Sequence, residues 1–433
     1  MSGGRNELVI SRRSVLGGVL AMAAGSVSKP SSIRVLADEK PVVALAILDR
    51  HWKAIEDLAD GYAEDTGIEL KATPLGYDDL YTQLSLALTQ RASTFDVVLL
   101  VDQWIPQLVS FLTPLDISAD ASAAFVQTAF ELGHYPADGK TSALPWLGET
   151  QFFVSRPDWL ERAGQTEPGT WDDTVESATA IAGQLDADGS LSAFGIRGLD
   201  DHQVVESFLP VLRGFGKELI DRETSVPQLD TDEALAAMQT LLELAALSPA
   251  ESAAVDALDN GDRFVAGQIA MMANYWSSDL LAARTSEPSD QTGPLASTLQ
   301  PAQSGNAHLA MTGVWLAGIP SGSLAQDVAK TFLGWLTGLE VQAQLPRLGL
   351  PPVRADVMQD AALTQQFPDL PVLLDMLEEA TCRPRSPFYP QLEQLVAAEL
   401  KRALAGEQSG DEAMKNANIA LRQFLVREGV LTA

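Results

Sequence analysis

An unbroken apolar run, residues 97–101, ends in Asp102, Gln103 and Trp104 with no turn residue between. Five consecutive apolar residues predict a parallel strand that is buried on both faces. In open α/β sheets, ligands bind beyond the carboxyl ends of such strands. A carboxylate, an amide and an indole at this point favour a polyhydroxylated ligand. The alternative is that Asp102 caps the next helix and Trp104 packs in the core.

The chain before this run alternates strands and helices. Apolar, β-branched residues predict a strand over 41–48, and helical spacing predicts a helix over 52–66. A second strand is predicted over 68–73, and a second helix runs from Tyr77 to about residue 92. The order β-α-β-α-β predicts a parallel sheet with right-handed crossovers. The first and third strands then deliver polar groups to the same edge of the sheet.

Further strands, helices and one long loop are predicted in the rest of the chain. An apolar strand over 269–273 leads to Trp276, and a short strand over 312–320 carries Trp315. Residues 286–306 are rich in Ser, Pro, Gly and Gln and predict a loop. Periodicity predicts helices over 157–183, with a start at Thr170, and over 203–215, 231–247 and 324–337, and two helices within 390–428.

Asp186, Asp188 and Gly189 suggest a calcium-binding loop. The full pattern fails, because the glycine comes too early and Arg197 stands where a bidentate glutamate belongs. A turn is the better interpretation. Cys382 is the single cysteine and the four histidines are scattered, which argues against zinc. We predict no metal site and no cofactor.

Length and charge narrow the classes of function. A chain of 433 residues is too long for one hydrophobic core and predicts two or three domains. The formal net charge of −29 argues against nucleic acid and anionic membranes as partners. These totals favour a multidomain globular protein.

The N-terminus has the order of an export signal. Arg12 and Arg13 precede a moderately apolar stretch, residues 15–27, as in twin-arginine signals. Small residues at 35–37 would permit cleavage before Asp38, giving a signal peptide of residues 1–37. Its removal takes away five basic residues and one acidic residue, so the mature charge becomes −33. No cysteine lies nearby for lipid attachment, so we expect a soluble, exported, unanchored protein. The alternative is an uncleaved N-terminal anchor.

The mature chain resembles the extracellular solute-binding proteins of ABC importers, in particular the group that binds sugars. The resemblance rests on the order and spacing of several segments together with Asp102 and Trp104. These segments are residues 64–68, 76–81, 95–98, 112–116, 143–151, 170–173, 264–276, 313–320, 332–337 and 351–354.

The resemblance implies an α/β, two-lobed periplasmic-binding-protein fold of type II, with the ligand cleft between lobes joined by crossing strands. By similarity the N-terminal lobe holds 38–146 and 312–365, and the C-terminal lobe holds 147–311 and 366–433. It also implies a monomeric, periplasmic or otherwise extracytoplasmic protein without catalytic residues. Such a protein would deliver a small carbohydrate to an ABC permease.

Carried onto this chain, the family's pattern of acids, amides and aromatic rings gives a set of candidate ligand-binding residues. They are Tyr77, Asp78, Asp102, Gln103, Trp104, Glu149, Trp276, Trp315 and, at the rim of the cleft, Arg354. Each has a structural alternative, since the tryptophans can be core residues, Tyr77 and Asp78 can simply start a helix, and Arg354 can form a structural ion pair.

Two other functions stay open at this point. The same fold could bind a cationic solute such as a polyamine, attracted by the negative field and held by Trp and Asp side chains. An exported glycoside hydrolase would need two carboxyl groups across a bond, for which Asp102 and Glu149 are candidates.

Overall fold

The computed structural model describes residues 41–135, 140–185, 190–197, 201–249, 257–285, 294–379 and 381–432. The export signal, residues 1–37, and the calcium candidates Asp186, Asp188 and Gly189 lie outside these ranges, so both interpretations stay predictions. Within the described ranges, no helix has the length and apolarity that a bilayer crossing requires.

Strands and helices alternate along the described chain. The strands are β1 (Val42–Leu48), β2 (Glu69–Leu75), β3 (Val97–Val101), β4 (Ala143–Leu147), β5 (Gln151–Ser155), β6 (Ser192–Gly195), β7 (Ile269–Trp276), β8 (Ala296–Thr298) and β9 (Trp315–Gly318). The segment 286–306, predicted as a loop, therefore contains the unpredicted strand β8. Three residues are too few to show an alternating pattern.

The helices include those predicted from periodicity, close to their expected bounds, and others that periodicity did not predict. They are α1 (Asp49–Thr66), α2 (Tyr77–Thr89), α3 (Ile105–Leu108), α4 (Ala119–Ala123), α5 (Gln127–Glu131), α6 (Pro157–Arg162), α7 (Trp171–Ala182), α8 (Asp201–Gly214), α9 (Asp232–Ala246), α10 (Ala257–Val265), α11 (Ser277–Thr285), α12 (Gln326–Leu336), α13 (Leu339–Gln342), α14 (Ala355–Met358), α15 (Ala361–Gln366), α16 (Leu370–Glu379), α17 (Tyr389–Leu404) and α18 (Gly410–Arg427). Short 3₁₀ helices cover Asp102–Trp104, Val109–Phe111 and Leu345–Leu348.

Local signals set several helix ends. Gly67 ends α1 in the left-handed conformation, with φ of 71°, which glycine adopts without steric cost. Thr170 and Asp173 form a capping box that starts α7, an arrangement worth about 1 kcal/mol. Because α7 begins there, the helix predicted over 157–183 is in fact two helices, α6 and α7.

The first sheet has the strand order β2-β1-β3-β9-β4. β1 pairs in parallel with β2 and β3, as the β-α-β-α-β order predicts. β9 runs antiparallel between β3 and β4. The carboxyl ends of β1 and β3 therefore meet at one edge, where Asp49, Arg50 and Asp102 follow the strands.

The second sheet has the strand order β6-β7-β5-β8. β6 and β7 are parallel, whereas β5 runs antiparallel to both of its neighbours. Helices α7, α8, α9, α17 and α18 bury their apolar faces in one cluster with this sheet. We call the part built on the first sheet the first lobe and the part built on the second sheet the second lobe.

The chain passes between the lobes in adjacent segments. Residues 148–150 connect β4 to β5, and Thr150 bridges Thr312 on the return towards β9. Met311 in turn bridges Thr381. These contacts gather the described crossings into one narrow region beside the edge where β1 and β3 end.

The packing of α16 bears on one expected lobe boundary. Residues 366–433 are expected in the C-terminal lobe, yet Thr128 of α5 donates a hydrogen bond to the carbonyl of Leu377 in α16. Thr381, just beyond α16, bridges Met311. We therefore propose a last crossing near Thr381, and all lobe boundaries stay predictions.

Candidate functional site

A cavity of about 320 Å³ lies between the lobes, where the polar strand ends face the second sheet. Its lining comes from both lobes and from the crossing segments. The lining residues are Leu48, Asp49, Arg50, Leu75, Gly76, Tyr77, Val101, Glu149, Arg197, His202, Gln203, Glu206, Trp276, Gly313, Trp315 and Arg383. We call it the first compartment. Its volume is at the lower end of the range for small-molecule sites.

Two indole rings are the largest apolar groups of this lining. Trp276 ends β7 in the second lobe, and Trp315 begins β9 in the first lobe. A Cβ atom on Gly313 would lie 2.7 Å from the Trp276 ring, so only glycine permits this packing. Trp315 meets His51 edge to face, with ring centroids 4.8 Å apart. The rings are therefore held in place by their neighbours before any ligand binds.

His51 is the buried support of Trp315. Its ring lies between Trp315 and Trp146, whose ring centroid is 5.5 Å away. Burial, and secondarily the charge of Arg50, holds the pKa of His51 well below its ordinary value. His51 is thus a neutral packing residue at neutral pH.

Arg50 reaches from the first lobe to acids on the other side. Its Nη1 lies 3.3 Å from Asp279 Oδ1, and its Nη2 lies 3.8 Å from Glu149 Oε1. Arg197 also pairs with Asp279, at 2.6 Å. Burial would raise the pKa of Asp279, but Arg197 and Arg50 outweigh it and lower the pKa. This acid therefore stays ionised and holds both guanidinium groups at the cavity.

Glu149 lies in the crossing between β4 and β5. Its Oε2 accepts hydrogen bonds from Ser277 Oγ at 2.8 Å and from the Ser278 backbone N–H at 3.1 Å. Burial raises the pKa of Glu149, and Arg50 acts in the opposite direction. The carboxylate is thus fixed by the start of α11 and oriented beside the indoles.

Arg383 connects three parts of the site. Its guanidinium pairs with Glu206 of α8 and lies 3.6 Å from Asp102 Oδ1. It also lies over the Trp276 ring, 5.9 Å from the centroid. Burial by itself lowers the pKa of Arg383, but the Glu206 carboxylate raises it above the ordinary value. Arg383 therefore remains charged although it is buried.

The charges that line the first compartment are balanced. The lining holds three guanidinium groups and three carboxylates, those of Arg50, Arg197, Arg383, Asp49, Glu149 and Glu206. The whole chain carries a formal charge of −29. The lining itself is therefore balanced, while Asp279 and Asp102 behind it pair with the same arginines.

A second cavity, of about 420 Å³, lies beyond a ring stack that crosses the cleft. Tyr77 of the first lobe stacks on His202 of the second, with centroids 5.1 Å apart and ring planes at 23°. Both rings line both cavities. We call the second cavity the second compartment. Its lining residues are Tyr77, Asp78, Tyr81, Gln103, Trp104, Asp201, His202, Pro390, Glu393, Gln394 and Lys401.

Comparison with known proteins identifies the family that has this architecture. The model for bacterial extracellular solute-binding proteins matches residues 52–343, more than half of the chain. This chain belongs to that family. A solute-binding protein of this kind is a binding component and not an enzyme, and the family is extracellular by description.

Relatives and solved structures agree with this assignment. The solute-binding protein is 26% identical, over 90% of both chains, to a probable amino-acid ABC transporter periplasmic-binding protein (y4oP) of Sinorhizobium fredii. It is similar in structure to maltose-bound MalE3 of T. maritima, with a TM-score of 0.80 and 24% identity, covering 89% of this chain and 100% of the other. It is also similar to a ribitol-bound ABC transporter protein of Agrobacterium radiobacter K84, with a TM-score of 0.79, 21% identity, and coverage of 89% and 98%. These structures confirm the two-lobed α/β fold.

The predicted site residues of the solute-binding protein fall into three groups. Tyr77, Glu149, Trp276 and Trp315 line the first compartment. Asp78, Gln103 and Trp104 line only the second compartment, to which Tyr77 also contributes. The remaining two, Asp102 and Arg354, line neither cavity.

Asp102 is a supporting residue behind the first compartment. Its Oδ2 accepts a hydrogen bond from Thr312 Oγ1 at 2.7 Å, and its Oδ1 faces Arg383. Burial raises the pKa of Asp102, and Arg383 is the largest influence in the opposite direction. Asp102 therefore supports Arg383 and Thr312 of the crossing segment.

The rim assignment of Arg354 stays a prediction, and the contacts of this residue favour its structural alternative. Its Nε and Nη2 donate to the two carboxylate oxygens of Asp356, at 3.0 and 2.6 Å. Its guanidinium also lies over Phe125, 5.9 Å from the ring centroid. Arg354 therefore tethers the start of α14 to the first lobe, as the structural alternative predicted.

Several lining residues were missed by sequence reasoning. Arg197, His202 and Glu206 come from the second lobe, and Arg383 follows the last crossing. Arg50 could have been found from the sequence, since it follows closely after the end of the first predicted strand. The others follow no apolar strand pattern of the kind that identified Trp276. Among the described residues, no group of three or more His, Cys, Asp or Glu side chains could hold a metal ion.

Proposed function

We propose that this protein captures a small polyhydroxylated solute, a sugar or sugar alcohol, in the first compartment and delivers it to an ABC import permease. The observation that carries the proposal is the pairing of two indoles with fixed hydrogen-bonding groups in one cavity. Indole faces pack against the apolar faces of sugar rings. Carboxylate and guanidinium groups supply directional hydrogen bonds to hydroxyl groups.

The balanced lining favours a neutral solute over a polyamine. Each guanidinium in the first compartment already pairs with an acid, and no excess of carboxylates faces the cavity. A polyamine would place several positive charges next to Arg50, Arg197 and Arg383. Like charges in a partly dry site repel strongly. The negative field of the whole chain does not offset this local arrangement.

Hydrolysis of a glycosidic bond is a weaker proposal than binding. It needs two carboxyl groups across the bond, and the candidate pair was Asp102 and Glu149. Glu149 lines the first compartment, whereas Asp102 is engaged with Thr312 and Arg383 behind it. We therefore propose no catalytic residue.

Two contacts across the cleft suggest how the lobes close. Arg50 of the first lobe pairs with Asp279 of the second, and Tyr77 stacks on His202. A bound solute that touches both lobes would add to these contacts and favour the closed arrangement. Opening the lobes would separate the same pairs and release the solute.

The sequence also supports a proposal for how the protein is exported and where it acts. We propose export through the twin-arginine-like signal, cleavage after Ala37, and action as an unanchored monomer in the periplasm or an equivalent compartment. The family's extracellular description supports the compartment. The absence of a cysteine near the signal supports the lack of a lipid anchor.

An amino acid is the second candidate ligand. The relative from Sinorhizobium fredii is described as an amino-acid periplasmic-binding protein. A zwitterion could also use a lining that offers both guanidinium groups and carboxylates. The maltose-bound and ribitol-bound structures, by contrast, belong to proteins that hold polyhydroxylated ligands, and the paired indoles agree better with them.

Thermal unfolding of the purified protein tests the choice of ligand. The protein is first unfolded and refolded to remove any solute carried through purification. It is then heated with sugars, sugar alcohols, amino acids or polyamines. A ligand at about a thousand times its dissociation constant adds about 4 kcal/mol and raises the midpoint clearly.

A raised midpoint with sugars or sugar alcohols supports the proposal. A midpoint raised by amino acids alone favours an amino acid, the second candidate, as the ligand. A response to polyamines without any response to sugars contradicts the neutral ligand. If no compound in a broad panel raises the midpoint of the refolded protein, the first compartment is not the site that we describe.

A further inference from the structure

Two aromatic rings from opposite lobes meet at the boundary of the first compartment. Tyr77 is the first residue of α2, and His202 lies in the first turn of α8. Their ring centroids are 5.1 Å apart and their ring planes differ by 23°, which is a stacked contact with no room for a third group between the faces. Both rings line both compartments. We call this pair of rings the partition, because it stands between the two cavities.

The Tyr77 side of the partition is fixed by the first lobe. The Tyr77 hydroxyl accepts a hydrogen bond from Gln103 Nε2. Its ring packs against Trp104, with centroids 5.0 Å apart, and meets Trp315 edge to face at 6.2 Å. Contacts on several sides leave a close-packed ring little freedom to turn away. A longer ligand therefore cannot pass the partition by moving Tyr77 alone.

The His202 side of the partition is placed by the second lobe. Asp201, the preceding residue, pairs with Lys401 at 2.6 Å, which joins the start of α8 to α17. Within the described part of the chain, Tyr77 is the one ring that contacts the His202 ring. His202 is also only half-buried. Removing its imidazole should therefore open the partition and leave the packing of both hydrophobic cores intact.

The partition separates a small cavity from a larger one. The first compartment, of about 320 Å³, is near the lower limit for small-molecule sites. The second, of about 420 Å³, adjoins it at the same two rings. Joining the cavities would more than double the space that a ligand could fill. The two rings therefore decide whether the cleft offers a short site or a long one.

We propose that the partition limits the ligand to a single sugar ring or a sugar alcohol of similar length, and that His202 sets this limit. The inference rests on the function proposed above for the first compartment. A disaccharide that extended towards the second compartment would place its second ring where the stack forms. The lobes could then close only by giving up the Tyr77–His202 contact, whereas a single ring leaves this contact to favour closure. An obstacle to the wrong ligand is one of the ways in which proteins achieve specificity.

Thermal unfolding of the refolded protein tests this limit with ligands that differ chiefly in length. The matched sets are glucose with maltose, cellobiose and trehalose, galactose with lactose, mannose with mannobiose, fructose with sucrose, and sorbitol with maltitol. We expect the midpoint of the parent protein to rise with at least one hexose or hexitol and not with the disaccharides that contain it. Isothermal titration calorimetry then gives the ratio of the dissociation constants of the short and the long ligand.

His202→Ala should move this ratio towards the disaccharide by about tenfold or more, because it removes the obstacle and joins the cavities. Alanine is the best helix former, so α8 should keep its start. His202→Phe should keep the exclusion of disaccharides, since phenylalanine retains a flat ring that can stack on Tyr77.

Tyr81→Ala is the matched control for the loss of a ring. Tyr81 lines only the second compartment and lies against Trp104, with centroids 5.2 Å apart, so it takes no part in the partition. Its removal enlarges the second compartment without joining it to the first. The ratio of the dissociation constants should therefore match that of the parent protein.

The outcomes separate this limit from the function on which it rests. A parent protein that binds a disaccharide at least as tightly as the hexose it contains overturns the limit and leaves the sugar site in place. An unchanged ratio in His202→Ala, an equal shift in Tyr81→Ala, or a loss of exclusion in His202→Phe overturns the role of the His202 ring. If none of the sugars and sugar alcohols raises the midpoint of the parent protein, the proposed function fails, and the limit fails with it.

Discussion

The two compartments share Tyr77 and His202 but differ in charge. Arginines and acids are equal in number in the first, whereas acids outnumber the single lysine in the second. The arginines of the first compartment come from three separate segments, after β1, after β6 and after the last crossing. The difference shows that the charge of a site is set by which segments the fold brings together. A total of −29 does not predict it.

The compartments also differ in how their carboxylates are held. Glu149 accepts hydrogen bonds from Ser277 and Ser278, so its position is fixed before a ligand arrives. Glu393 accepts a hydrogen bond from the Tyr389 hydroxyl. A carboxylate that is fixed in advance suits a neutral solute that adds a few hydrogen bonds.

The largest effect is expected from Arg383→Ala, which would break the charge balance of the first compartment. The substitution leaves Asp102 and Glu206 buried without their guanidinium partner. Removing one partner of a buried ion pair costs about 3–5 kcal/mol. Denaturant unfolding should show a loss of this size in the free energy of unfolding.

Arg402→Ala is the matched control for that experiment. Arg402 pairs with Glu399 at 3.0 Å, but 47% of its side-chain surface is exposed. Exposed pairs contribute less than about 1 kcal/mol. Equal losses in the two variants would show that Arg383 does not hold the buried carboxylates together.

The two compartments also show which parts of the site the sequence predicts. The bounds of β1 and β3 were predicted to within about a residue, because strands buried on both faces are continuous apolar runs. Trp276 and Trp315 were found because each accompanies such a run. Periodicity identifies strands and the side chains at their ends, and those side chains make up the aromatic half of the site.

The charged half of the site had no comparable signal. Arg383 and Glu206 are 177 residues apart in the chain and meet only through the fold. Trp104 follows β3 as predicted, yet it lies on the far side of Tyr77, in the second compartment. The pattern shows which sheet edge receives a side chain. It does not show on which side of a neighbouring ring the side chain lies.

Glu393→Gln should remove a pH dependence of stability that originates in the second compartment. The pKa of about 7 in the folded protein lies above the ordinary value of 4.5, so between these values the folded protein keeps a proton that the unfolded chain has lost. Stability therefore falls as the pH rises through this window. Glutamine mimics the protonated acid and avoids the loss. The variant should gain up to about 3 kcal/mol over the parent at pH 8 and little at pH 4.

Urea unfolding of both proteins from pH 4 to pH 8 measures this difference. The titrating groups that face Glu393, including Glu206, His202 and Tyr389, are retained in the variant, so their contributions largely cancel. Parallel stability curves would contradict a raised pKa at this position. A difference in the free energy of unfolding that grew towards low pH would also contradict a raised pKa of Glu393.

Trp276→Ala should weaken binding in the first compartment alone. Loss of the ring removes a stacking surface and buried apolar area, which together are worth about 1–3 kcal/mol. Calorimetry with a sugar that raises the unfolding midpoint measures the change. Trp159→Ala is the control, since Trp159 lies on α6 against Arg162 and lines neither compartment. Unchanged sugar affinity in Trp276→Ala would remove the main support for the first compartment.

The smallest effect is expected from Arg354→Ala, which tests the limits of the cleft. Arg354 pairs with Asp356 and lies over Phe125, so its removal should cost about 1 kcal/mol of stability. Asp356→Asn should lose a similar part of that stability, because it breaks the same ion pair. Neither change should alter the affinity for sugar, since both residues lie outside the two compartments. A weaker sugar affinity in Arg354→Ala with a normal affinity in Asp356→Asn would restore Arg354 to the rim and extend the cleft beyond its two compartments.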